Sequence, residues 1–153
     1  MSELNTLLER LGDRWEPQEP GTDEAITECE RQLGVVFPPD YRLLLSLSNA
    51  GTLTGERSIM NFLPVEELVA FNEDDEIRTS MPGVLAIADN GGGSFYYYDV
   101  HNRLGLGEWS LLLVEFGTLS FDYSRFVGAT LIKMIEAIAD GEDLERRPVV
   151  RVR

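Results

Sequence analysis

The chain has 153 residues, 43% of them hydrophobic, with 27 acidic and 13 basic side chains and a net charge of −14. That length and composition fit one globular domain that buries a core without a disulfide or metal staple, and they exclude an intrinsically disordered chain. The acidity works against nucleic acid, whose affinity comes largely from Lys and Arg on phosphates, and against anionic membranes; it favours basic protein partners, besides serving solubility.

The charge is unevenly placed. Up to Glu145 the chain holds 27 acids against 9 bases, a net of −18, while Arg146, Arg147, Arg151 and Arg153 make the tail basic. Cys29 is the lone cysteine, so no intrachain disulfide forms, which fits a reducing compartment. The start Met1-Ser2-Glu3-Leu4 lacks a basic-then-apolar signal, and no window approaches 18 apolar residues. A cytoplasmic location is the default expectation.

In chain order, Leu4, Leu7, Leu8 and Leu11 recur at helical spacing before Gly12. Residues 13–21 form a loop with two prolines, which Trp15 is expected to pin to the body. Thr22 is a good N-cap for a helix with Ile26, Cys29 and Leu33 on one face and Gly34 at its end. Val35-Val36-Phe37 bridges to a third helix opening at Pro39 or Asp40, with Tyr41, Leu44, Leu45 and Leu47 expected inside and Asn49-Ala50-Gly51 closing it.

After a polar loop, Ser58 to Phe62 alternates like a strand, and Pro64 to Phe71 reads as a short helix. Glu73-Asp74-Asp75-Glu76 reads as a solvated loop or helix end. Val84 to Ala88 is a strand, Asp89-Asn90-Gly91-Gly92-Gly93 a turn, Phe95 to Tyr98 a second strand, and Trp109 to Phe116 a third. Phe126, Ala129, Ile132, Ile135 and Ile138 predict one helix over 126–139, ended by Gly141. Val149 to Arg153 reads as an edge strand or a tail. The turns between strands are too short for parallel crossovers. The class is therefore α+β: a single domain with a mainly antiparallel sheet, flanked by N-terminal helices and a C-terminal helix.

The residues carry little sign of catalysis. His101 is the lone histidine and lies in a turn, while Cys29 shares an apolar helix face and is expected in the core. One Cys and one His do not make an ordinary zinc site, and the acidic run lacks the spacing of a calcium loop. Gly91-Gly92-Gly93 is followed by neither lysine nor helix, as a phosphate loop requires. No catalytic residue, cofactor or metal is expected. In Phe95 to Tyr98, alternation puts Tyr96 and Tyr98 on one face. If that face is open, the pair beside acidic residues suits the gripping of a protein.

Three stretches together resemble the SUKH superfamily, which includes bacterial immunity proteins and the yeast cell-wall-synthesis regulator family. The first runs from Ile26 to Gly51, through Leu33-Gly34 and Phe37-Pro38-Pro39-Asp40-Tyr41-Arg42 to Asn49-Ala50-Gly51. The second is Ile87 to Gly93 leading into Tyr96 to Asp99. The third is the closing helix from Phe126 to Ile138. Asn49-Ala50-Gly51 stands where the commoner pattern is Asn-Gly-Gly. The resemblance implies one domain over 1–153 with a core at 22–140 and a tail or edge strand at 141–153.

It also implies a non-enzymatic protein-binding role. The leading expectation is an immunity protein that neutralises a cognate bacterial toxin such as a nuclease, with a basic toxin domain as partner. The alternatives are a regulatory interaction scaffold without a toxin partner, and a hydrolase with converging carboxylates. Candidate contact residues are Glu73, Asp74, Asp75, Glu76, Asp89, Asn90, Tyr96 and Tyr98.

Overall fold

The computed structural model describes residues 2–150. Local signals set the first helix ends. Helix α1 (Glu3–Leu11) starts at Ser2, whose hydroxyl accepts the Asn5 N–H, and buries Leu4, Leu7, Leu8 and Leu11. Helix α2 (Asp23–Leu33) starts at Thr22, whose hydroxyl accepts the Ala25 N–H, and ends at Gly34 in the left-handed conformation. Helix α3 (Pro39–Leu47) has proline at its first position and buries Tyr41, Leu44 and Leu45. Leu47 is exposed instead of buried, because the inward stripe continues from Leu44 and Leu45 to Ser48, off its side of the helix.

The described residues form one antiparallel sheet in sequential order: β1 (Trp15–Glu16), β2 (Gly51–Thr54), β3 (Ile59–Phe62), β4 (Val84–Asp89), β5 (Ser94–Asp99), β6 (Ser110–Glu115) and β7 (Arg125–Gly128). Strands β1 and β2 lie in segments read from sequence as loops. Each is short, and only Trp15 and Leu53 give an apolar cue. Trp15 does pin its segment, packing edge-on against Phe62 with centroids 6.0 Å apart.

Helix α4 (Val65–Asn72) follows Pro64 as expected. A further helix, α5 (Asp75–Ser80), takes up half of the acidic run. At the other end, the single helix predicted over 126–139 is two elements. Phe126 pairs with Leu112 in β7, and helix α6 (Leu131–Ala139) begins only after Thr130, whose hydroxyl accepts the Lys133 N–H. Gly128 makes the break possible: a Cβ there would come within 2.9 Å of the Met134 nitrogen. Past α6, Val149 makes a single isolated antiparallel bridge to Arg125; of the segment read as an edge strand or a tail, 151–153 lie outside the described residues.

Both faces of the sheet are covered. The larger core joins Tyr96, Tyr98, Leu111 and Leu113 to the apolar stripes of α1, α2, α3, α4 and α6. A smaller core on the other side joins Phe95, Tyr97, Leu112 and Val114 to Ile77 and Met81, with Phe71, Phe121 and Val150 packed against it. Strand β4 changes register between Ala86 and Ala88, which turns both Ile87 and Ala88 toward the larger core.

Candidate protein-binding surface

The acidic run is a fixed corner. Glu73 caps the C-terminal end of α4. The Asp74 carboxylate accepts the N–H groups of Glu76 (3.0 Å) and Ile77 (3.2 Å), and so starts α5. Asp75 and Glu76 fill its first turn, where the helix dipole favours them. Ile77 alone turns inward from this stretch, which leaves the four carboxylates exposed.

Beside this corner lies a cleft of about 330 Å³, between the C-terminal ends of α2 and α4, the helix α5 and the start of β4. Its polar walls are Gln32, Glu73, Arg78 and His101, and its apolar floor includes Leu33, Met81 and Leu85. The His101 ring lies over Gly83, where φ is +82° and a Cβ would meet the ring at 2.9 Å.

Asp89 and Asn90 sit at the far end of β4, about 16–17 Å from its first residue, Val84. Their side chains build the turn. One Asp89 oxygen accepts the Gly91 N–H and the Asn61 amide, each at 2.9 Å. The Asn90 oxygen accepts the N–H groups of Gly92 and Ser94, and its amide donates to Glu145. The acidic corner and the Asp89–Asn90 turn are therefore two separate surface features.

Tyr96 and Tyr98 leave the surface altogether. The open face that gripping a protein requires is closed: both are 1% exposed, because helices cover their face and the smaller core covers the other. The Tyr96 hydroxyl donates to the Ile59 carbonyl, and Tyr98 packs edge-on against Trp109. Burial pushes the pKa of both hydroxyls up. Cys29 is buried as expected; burial first, then Glu30 and Glu66, pushes its thiol up to about 11, so it is no thiolate at neutral pH. Glu28 is held down at about 2 by hydrogen bonds from Arg31 and Gln32. Among the described residues, no group of three or more Cys, His, Asp or Glu is placed to hold a metal ion.

Two surface features escaped the sequence reading. Val36 stands 80% exposed on the connection between α2 and α3. A second cleft of about 380 Å³ lies beside the Gly91–Gly93 turn, lined by Tyr123 and Val149, with Tyr123 60% exposed. An apolar residue in a connection gives no sequence signal of facing outward, since most such residues face the core.

These features define a small α+β domain that offers a charged, clefted surface. The chain belongs to the SMI1 / KNR4 family (SUKH-1), which matches residues 20–137. No curated protein matches it. The family match spans α2 to most of α6; α1 precedes it. Among the described residues, no helix is long and apolar enough to cross a membrane.

Proposed function

We propose that this chain is an immunity-type interaction module that binds a basic toxin domain, such as a nuclease, and blocks it. The observation that carries the reading is membership of the SUKH-1 family in a chain of net charge −14. In this reading the chain acts by binding rather than by catalysis. A strongly acidic body speeds encounter with a basic partner and opposes competition from nucleic acid. Glu73, Asp74, Asp75 and Glu76 are the proposed point of first contact, because they are exposed and fixed in place.

The test is protection. The toxin domain encoded beside this gene is expressed in a sensitive host, with and without the chain. Survival only in its presence supports the reading. Death in both cases, or a gene with no toxin beside it, sinks the toxin claim and leaves a regulatory interaction scaffold.

A further inference from the structure

Val36 is the most exposed large apolar residue among those described, and the backbone holds it outward. Residues 35–37 are non-helical between the left-handed cap at Gly34 and the start of α3. Phe37 turns inward, buried against Tyr41 with ring centroids 5.0 Å apart. Its neighbour Val36 is left facing water.

Glu30 fixes this arrangement. Its carbonyl accepts the Val35 N–H at 3.1 Å. One carboxylate oxygen accepts the Phe37 N–H at 2.7 Å, and the other accepts the Arg42 guanidinium at 2.5 Å. Arg42 also reaches Asp23 and Thr27, which ties α3 to α2 on either side of the connection. The side chain at 36 is thus presented by a rigid frame, and a partner orders little on binding it.

Gly34 and Val35 line two concavities. One is the cleft that holds Glu73 and Arg78. The other is a shallow, largely apolar groove shared with Thr27, Arg31 and Val36. The connection is thus a ridge between the two, with Val36 on its groove side and Glu73 on the cleft side. The two flanking segments, 22–37 and 72–81, carry eight acids; Glu28 is paired with Arg31, and Asp23 and Glu30 with Arg42, which leaves Glu24 and the four carboxylates of the corner against Arg78. An apolar centre inside a charged rim is the layout of an interface hot spot. The second cleft is mixed in charge: Glu115, Glu145 and Arg125 line it and Arg147 lies next to Arg125, so it offers a basic partner a weaker field than the four exposed carboxylates of the corner.

We infer that Val36 is the apolar anchor for a basic protein partner, which sets one apolar side chain against the ridge and its Lys or Arg residues toward Glu73 and the residues after it. The inference rests on the function proposed above and adds to it the face that is used.

The probe is the neighbouring toxin domain, inactivated in its own active site, and the readout is its dissociation constant. Val36→Asp should weaken binding by about tenfold or more, as loss of an interface anchor does, while Val36→Leu should bind like wild type. Tyr123→Asp, at the second cleft, should leave binding unchanged. Thermal melting of each variant should match wild type, since both side chains are largely in water. Wild-type affinity for Val36→Asp overturns the inference, as does loss of binding in Tyr123→Asp alone. A wild-type dimer in sedimentation that Val36→Asp dissolves also overturns it, by making the ridge a self-interface. If the wild-type protein itself does not bind the probe, the proposed function fails first and takes this partner with it.

Discussion

The side-chain amide of Asn72 closes on both backbone groups of Ala86: its nitrogen donates to the Ala86 carbonyl at 2.9 Å, and its oxygen accepts the Ala86 N–H at 2.7 Å. Strand β3 pairs with β4 only at Asp89 and Ala88, and Leu63 adds one bond to Ile87. Asn72 thus replaces the missing strand at the next position, and it joins the acidic corner to the sheet. Asn72→Ala leaves two backbone groups of a buried residue without partners, at about 1–3 kcal/mol each. The expected loss in urea unfolding is on the order of 2–4 kcal/mol. A variant as stable as wild type would remove Asn72 from this role.

Ala50 has φ of 105°, which side chains of L-residues rarely adopt. It stands where the resembling family pattern has glycine. Ala50→Gly should therefore raise stability by about 1 kcal/mol, despite the extra freedom glycine gives the unfolded chain. Chemical denaturation measures this directly, and a destabilised variant would contradict the strain.

Two tyrosines of one strand should respond oppositely to loss of the hydroxyl. The Tyr97 hydroxyl donates to Ser124 at 2.6 Å, and Tyr97→Phe should cost about 1 kcal/mol. The Tyr98 hydroxyl is buried with no protein partner, and Tyr98→Phe should be neutral or stabilising. A marked loss in Tyr98→Phe would reveal an ordered water on that hydroxyl.

Much of this was legible from local chemistry. Ser2 was not singled out, but Thr22, Gly34, Pro39 and the Asp89–Gly93 turn mark element ends by capping and turn preferences that neighbours do not override. Phe126 misled because strand and helix spacing overlap over a few residues, and only contact with Leu112 decides between them. The tyrosines misled for a different reason. Strict alternation assumes one wet face, yet four consecutive aromatics already describe a strand buried on both sides. Val36 was not legible, because its outward direction depends on Glu30 and Phe37 acting together.

Stability should fall on the alkaline side. Burial raises the pKa of Tyr41, Tyr96, Tyr97, Tyr98 and Cys29, so the folded state keeps protons that the unfolded state releases. Their contribution is complete below the unfolded values, about 9 for the thiol and about 10 for the phenols, and is lost as pH rises through the folded ones. Unfolding free energy should thus decline above about pH 9. The four buried phenols should ionise together with loss of the fold, as read by tyrosinate absorbance. Ionisation of all four in a fully folded protein would contradict their burial.

If the acidic surface recruits a basic partner, the charge of the corner should set the rate of association. Asp75→Lys with Glu76→Lys reverses two charges of the corner and spares Asp74, whose carboxylate caps α5. The association rate of the neighbouring toxin domain is measured for both proteins across a range of ionic strength. The wild-type rate should fall steeply with salt, and the variant should associate more slowly with a shallower salt dependence. Equal rates for the two proteins with no dependence on salt would contradict it.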